Sequence, residues 1–217
     1  MKRRRTLLTL VLLGAVLSSG AHAQDLARGE QLFSLCAHCH GVKGQGSALA
    51  LAPSIAGLEQ WYVVKQLQHF KEGVRASHFD DLAGMRMRPM ARWLKTPEDV
   101  SAVAAYVSSL PPVPIEITLV GGDPVRGAAL YATCSGCHGP KGEGVEPVGA
   151  PSLRHTSDWY QHRQIRNYQQ GIRGSDPRDV GGAAMRAMSM LLSDDQAIKD
   201  VLAHIATLSS PSSGGAE

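Results

Sequence analysis

The stretch Cys36-Ala37-His38-Cys39-His40 lies near the start of the chain, and its pattern returns as Cys134-Ser135-Gly136-Cys137-His138. Both are C-x-x-C-H motifs, the pattern for covalent attachment of c-type haem. Two thiols three positions apart lie on one helical turn, where they can form thioethers to the two vinyl groups of one porphyrin. The adjacent His40 or His138 then lies under the ring and ligates iron. The motifs predict two covalently bound haem c groups.

The cysteine count supports this interpretation over two others. Four cysteines could also form two disulfides or hold zinc. All four belong to the two complete motifs, and the chain has no other cysteine. Haem attachment is therefore favoured.

The first 23 residues have the pattern of a cleavable secretion signal. Four basic residues at positions 2–5 precede an apolar run over 7–17 and the A-x-A pattern Ala21-His22-Ala23. An uncleaved membrane anchor is the alternative, but the run is shorter than the roughly 20 residues that a span needs. The mature chain is expected to start at Gln24 and to reside in the periplasm of a Gram-negative bacterium.

The charge balance argues against a nucleic-acid partner. The chain carries a net charge of +3 from 22 basic and 19 acidic residues. Without the four basic residues of the signal, 18 basic residues face 19 acidic ones, a net charge of −1. A basic footprint for nucleic acid is therefore not predicted.

An internal repeat at an offset of 98 residues sets the domain organisation. Without any gap, it relates the two haem motifs and the following pairs: Arg28-Gly29 with Arg126-Gly127, Pro53-Ser54 with Pro151-Ser152, Trp61-Tyr62 with Trp159-Tyr160, Gln66 with Gln164, Arg75 with Arg173, Met87-Arg88 with Met185-Arg186, and Met90 with Met188. The predicted parts are a signal peptide 1–23, a domain 24–110, a proline-rich linker 111–122, a domain 123–208 and a disordered tail 209–217.

The predicted elements are helices, and no strand periodicity is found. Helices are expected over 25–39 and 123–137, each leading into a haem motif, and over 59–72 and 158–170. A last helix in the first copy has Thr96 as N-cap and Pro97 at its first position. Its counterpart has a capping-box pattern formed by Ser193 and Gln196. The fold class is all-α.

Each iron needs a sixth ligand or keeps an open position, and methionines are the candidates. The repeat pairs Met87 with Met185 and Met90 with Met188, whereas Met85 and Met190 have no methionine partner. Arg75 and Arg173 are also paired, which suits either haem propionates or a solvated surface. The repeated Trp-Tyr pairs are expected to pack beside the haems.

With these motifs the chain resembles the dihaem cytochromes c of the cytochrome c4 family. The likeness rests on the paired C-x-x-C-H motifs, the P-x-[IL] segments, the W-Y helices and the M-x-[PA]-M-[AS]-x-x-L runs over 87–94 and 185–192. It implies two tandem class I cytochrome c domains, each a small helical bundle around one haem. It further implies that Met87 and Met185 ligate iron, with Met90 and Met188 as the alternative, and that the Pro53 and Pro151 carbonyls orient the axial histidines.

A histidine and methionine pair raises the haem potential and leaves no coordination position for a substrate. The expected function is therefore single-electron transfer rather than catalysis, from a quinol-oxidising complex to a haem-copper oxidase or periplasmic reductase. Contact with the membrane would come only through such partners. The alternatives are the cytochrome subunit of a periplasmic dehydrogenase of the flavocytochrome type, or a dihaem redox enzyme with one open haem.

Overall fold

A computed structural model describes residues 24–114 and 117–209, and in this part of the chain the helices are arranged as two sets of four. The helices are α1 (24–40), α2 (Gln60–Glu72), α3 (Leu82–Trp93), α4 (Pro97–Ser109), α5 (Pro124–His138), α6 (Asp158–Gln169), α7 (Val180–Ser189) and α8 (Asp195–Ser209). The predicted signal peptide, residues 115–116 of the linker and residues 210–217 of the tail lie outside the described residues.

The two sets repeat the same architecture. Helices α2, α3 and α4 begin 98 residues before α6, α7 and α8, the offset found in the sequence. The only β pairing in the described chain consists of two isolated bridges, Ser47 with Ala52 and Val145 with Ala150, and these also repeat. The all-α prediction is confirmed.

In each domain the first helix crosses the last one at a glycine. A Cβ on Gly29 would overlap the carbonyl oxygen of Ala102, and a Cβ on Gly127 would overlap that of Asp200. Only glycine allows two helix backbones to approach this closely. One turn away, Phe33 packs on Tyr106 with ring centroids 5.3 Å apart. This crossing joins the two ends of each domain and closes its core.

The structure corrects one predicted cap. Thr96 caps α4 as expected, because its side chain accepts a hydrogen bond from the Asp99 N–H. In the second domain the equivalent residue is Asp194, whose Oδ1 accepts from Ala197 N at 2.8 Å. The capping box predicted from Ser193 is wrong, since a carboxylate one residue later is the better placed acceptor.

Helices α3 and α7, which carry the paired methionines, were not foreseen. Pro89 lies inside α3, where it cannot donate a backbone hydrogen bond, and such a residue usually ends a helix. Glycine and alanine dominate the start of α7. Both helices are instead capped by buried aspartates, Asp81 and Asp179, which accept from the backbone N–H groups of Gly84 and Gly182.

The second half of the linker is attached to the C-terminal domain. The buried Asp158 accepts hydrogen bonds from the backbone N–H groups of Thr118 and Leu119, at 2.7 and 2.8 Å, and from the Thr118 hydroxyl. Ser209, assigned to the tail by the sequence, is the last residue of α8. Among the described helices, none is both long and apolar enough to cross a membrane.

Candidate functional site: two cavities beside the C-x-x-C-H motifs

The two motif histidines stand at the ends of their helices in the same environment. His40 and His138 are 6% and 5% exposed. Each Nδ1 lies within hydrogen-bond distance of a proline carbonyl, Pro53 O at 2.9 Å and Pro151 O at 2.8 Å. A carbonyl can only accept, so Nδ1 carries the proton and Nε2 keeps its lone pair for a metal. The arrangement predicted for Pro53 and Pro151 is present.

Burial also keeps these imidazoles neutral. It lowers the pKa of both His40 and His138, and the proline carbonyls oppose the effect only in part. A neutral imidazole is the form that ligates iron. The thiols of Cys36 and Cys134 are desolvated as well. Their burial raises the pKa of Cys36 to about 11 and also raises the pKa of Cys134.

A cavity opens beside each motif. The one in the N-terminal domain has a volume of about 180 Å³ and is lined by Cys36, Cys39, His40, Pro53, Met87 and Met90, among others. The one in the C-terminal domain measures about 220 Å³ and is lined by Cys134, Cys137, His138, Pro151, Met185 and Met188, among others. The structure thus brings every predicted site residue to one of two equivalent cavities.

One methionine faces the axial histidine directly. Met185 Sδ lies 3.5 Å from His138 Nε2, and both residues line the C-terminal cavity. Met188 lines the same cavity, whereas the unpaired Met190 is 62% exposed on the surface. Met87 and Met90 share the wall of the N-terminal cavity. The contact supports Met185 as the sixth ligand, and by the repeat it supports Met87; both assignments stay predictions.

The two cavities adjoin at an interface between the domains. Helices α2 and α6 supply its centre, and Tyr62, Gln66, Tyr160 and Gln164 line both cavities. Six hydrogen bonds of this interface form three pairs at the offset of 98, as expected for a pseudo-twofold interface. The pairs are Arg75 with Tyr160 and Arg173 with Tyr62, Arg75 with Gln164 and Arg173 with Gln66, and Ser54 with Ser157 and Ser152 with Glu59.

The paired arginines are buried in this interface, so the solvated-surface interpretation is wrong. Arg75 and Arg173 are 5% and 8% exposed. Each donates to the side-chain oxygens of both Gln66 and Gln164, at distances from 2.7 to 3.3 Å. The sequence left a solvated surface open as one of two interpretations, since arginine is rarely buried. Both guanidinium groups are buried because the equivalent faces of the two domains pack against each other.

These arginines also test whether haem fits. Two buried cations lie side by side, and neither has an ion pair with a carboxylate of the described chain. The buried Nε of each lacks a hydrogen-bond partner there. Buried cations require compensating anions, and haem carries two carboxylate groups. The thiols, the histidine and methionine pair and these unpaired donors all suit a haem in each cavity.

Comparison with known proteins agrees with this site. The cytochrome c family model matches residues 26–111 and again residues 124–209. A cytochrome c4 from Azotobacter vinelandii is 29% identical over 92% of the chain and 95% of the relative. The chain belongs to the cytochrome c4 family. It therefore carries two covalently bound haem c groups in tandem cytochrome c domains.

Other relatives of this c4-type cytochrome bear names from respiratory and sulfur metabolism. A thiosulfate dehydrogenase electron acceptor from Stutzerimonas stutzeri (strain A1501) is 32% identical over 78% of each chain. A cbb3-type cytochrome c oxidase subunit from Rubrivivax gelatinosus is 35% identical over 60% of this chain and 39% of the relative.

Two solved structures share its fold. Reduced cytochrome c4 from Pseudomonas stutzeri has a TM-score of 0.67 and 26% identity, covering 83% of this chain and 97% of that one. Thiosulfate dehydrogenase from Marichromatium purpuratum has a TM-score of 0.68 and 30% identity, covering 84% of this chain and 40% of that one. The names of the relatives support a dihaem electron carrier.

Sequence reasoning missed the interface although part of its signal was present. Gln66 and Gln164 repeat at the offset of 98, as do Tyr62 and Tyr160. Polar residues conserved between the copies on the buried side of a helix indicate a shared surface. Glu59 had no such signal, because its counterpart is Ser157 and the repeat is broken there.

Proposed function

We propose that this cytochrome is exported to the periplasm and carries single electrons from a quinol-oxidising complex to a terminal oxidase or reductase. Haem supplies one-electron exchange at iron when bound. The chain lines each cavity with apolar side chains and holds His40 and His138 in one orientation through the Pro53 and Pro151 carbonyls. Met87 and Met185 line the same two cavities, and if each ligated its iron together with the histidine, no coordination position would be left for a substrate.

The observation that carries this proposal is the direct approach of Met185 Sδ to His138 Nε2 at 3.5 Å. A thioether so placed is a soft ligand that favours ferrous iron and a high potential. The shared wall of Tyr62, Gln66, Tyr160 and Gln164 places the two cavities next to each other. Such an arrangement suits a carrier that accepts and donates electrons one at a time.

Optical spectra of the mature holoprotein test the proposal. We expect the ferric protein to show the far-red methionine-to-iron charge-transfer band at full strength for two haems. We also expect no spectral shift when carbon monoxide is added to the reduced form, because both sixth positions are filled. Half the band, or a carbon monoxide shift in one haem, would reveal an open site and favour a redox enzyme.

A second candidate function is that of electron acceptor for a periplasmic dehydrogenase. The relative from Stutzerimonas stutzeri, named as a thiosulfate dehydrogenase electron acceptor, favours it. In that case the purified dehydrogenase, supplied with thiosulfate, reduces both haems at least as fast as the enzyme turns over. A carrier of the respiratory chain is instead reduced by membranes supplied with quinol and oxidised by oxidase-containing membranes. The comparison of these two reduction rates decides between the candidates.

A further inference from the structure

The interface contains one charged contact whose symmetric counterpart is neutral. In the C-terminal domain the Ser152 N–H donates to Glu59 Oε1 of the other domain at 2.9 Å. At the equivalent place in the N-terminal domain, Ser54 N donates to the Ser157 hydroxyl at 3.3 Å. The interface is therefore electrostatically asymmetric at this point.

The peptide group that meets Glu59 also holds an axial histidine. Its oxygen, Pro151 O, accepts the Nδ1 proton of His138 at 2.8 Å, while its N–H donates to the Glu59 carboxylate. His138 and Glu59 thus lie at the two ends of one hydrogen-bonded chain that passes through a single peptide. Such chains polarise, so the anion makes the peptide oxygen a stronger acceptor.

Glu59 and Ser157 occupy the N-cap positions of α2 and α6, yet neither caps its own helix. N-cap side chains normally stabilise their own helix by accepting a hydrogen bond from its first turn. Here both side chains instead reach the other domain. The second oxygen of Glu59 is buried and has no hydrogen-bond partner in the described chain, so little water screens it.

The charges around Glu59 do not cancel this effect. Its negative charge acts on His138 and on His155, opposing the lowering of both pKa values by burial. Arg154, a cation two residues after Ser152, interacts with Glu143, Tyr131 and His155 within its own domain. The positive end of the α2 dipole favours a carboxylate at this position.

We propose that Glu59 of the N-terminal domain lowers the reduction potential of the haem in the C-terminal domain. It does so through the Pro151–Ser152 peptide, which gives His138 more imidazolate character and stabilises ferric iron. His40 has only the neutral Ser157 at the end of its chain. Glu59 is a positioning residue of one domain that sets an inequality between two otherwise repeated haems.

The test is the variant Glu59→Gln in the holoprotein, which retains an acceptor oxygen and removes the charge. In a spectroelectrochemical titration we expect the ferrous-to-ferric ratio of the C-terminal haem at a given potential to rise about tenfold, a shift of about 59 mV. The N-terminal haem should move far less. Haem-methyl NMR signals, assigned through contacts within each domain, distinguish the two haems. An unmoved C-terminal haem, or equal shifts in both, would overturn the proposal.

Two further variants separate charge from loosened docking. Ser157→Ala removes the equivalent contact without a change of charge and should leave both potentials in place; a shift as large as that of Glu59→Gln would contradict the proposal. Ser157→Glu should lower the potential of the N-terminal haem. In the ferrous protein, the Nδ1 proton of His138 should shift upfield in Glu59→Gln while that of His40 stays. This inference concerns the difference between the two haem potentials and rests on the proposed electron-transfer function. If the potentials did not move in these variants, the optical and carbon monoxide tests of that function would still apply.

Discussion

Replacing Met185 with alanine is expected to open one haem and leave the other closed. The far-red charge-transfer band of the ferric protein should fall to half, and the reduced protein should bind one carbon monoxide. The reason is the contact between Met185 Sδ and His138 Nε2 at 3.5 Å. Loss of the soft thioether should also lower the potential of the C-terminal haem, since axial ligands set haem potentials over roughly 0.8 V.

Met188→Ala is the matched control, because Met188 lines the same cavity one turn further along α7. It should retain the full band and remain closed to carbon monoxide. If Met188→Ala lost the band while Met185→Ala kept it, the alternative ligand assignment would be correct in this domain. The repeat would then transfer that assignment to Met90 in the N-terminal domain.

Replacing Gly127 with alanine should cost the C-terminal domain about 3 kcal/mol of folding free energy, at the upper end of overpacking effects. The added Cβ would overlap the backbone carbonyl oxygen of Asp200 where α5 crosses α8. Backbone atoms in a packed helix cannot move aside as a flexible side chain can. Urea unfolding of the holoprotein, followed by far-ultraviolet circular dichroism, measures the loss. It is large beside a total stability of about 5–15 kcal/mol.

Gly136→Ala on the same helix is the control. A Cβ there meets no atom within 4 Å, and the equivalent position in the other domain carries His38. Because alanine favours the helix over glycine, this variant should gain up to about 1 kcal/mol. Equal losses in the two variants would show that the crossing with α8 is not the cause.

The haem sites were largely predictable because their chemistry is local. Cys36, Cys39 and His40 lie within five consecutive residues, so spacing alone places them on one turn. The repeat at an offset of 98 residues extends the same inference to the second motif and predicts two all-helical domains. The prediction was weaker where two neighbouring residues competed, as when Ser193 was preferred to Asp194 as a cap. It failed at α3, where a helix stabilised by packing and by the Asp81 cap tolerates Pro89.

The amino-acid sequence by itself determined the cofactor, its number and the repeated helical domain, because these depend on short-range spacing and on a gapless repeat. Only the tertiary structure decided what the repeated polar residues do. It buried Arg75 and Arg173 between the domains and joined Glu59 to Ser152, 93 positions away along the chain. Contacts of this kind form only when the surfaces of two folded domains meet. The packing of both domains decides which residues lie on those surfaces, and no local sequence pattern does.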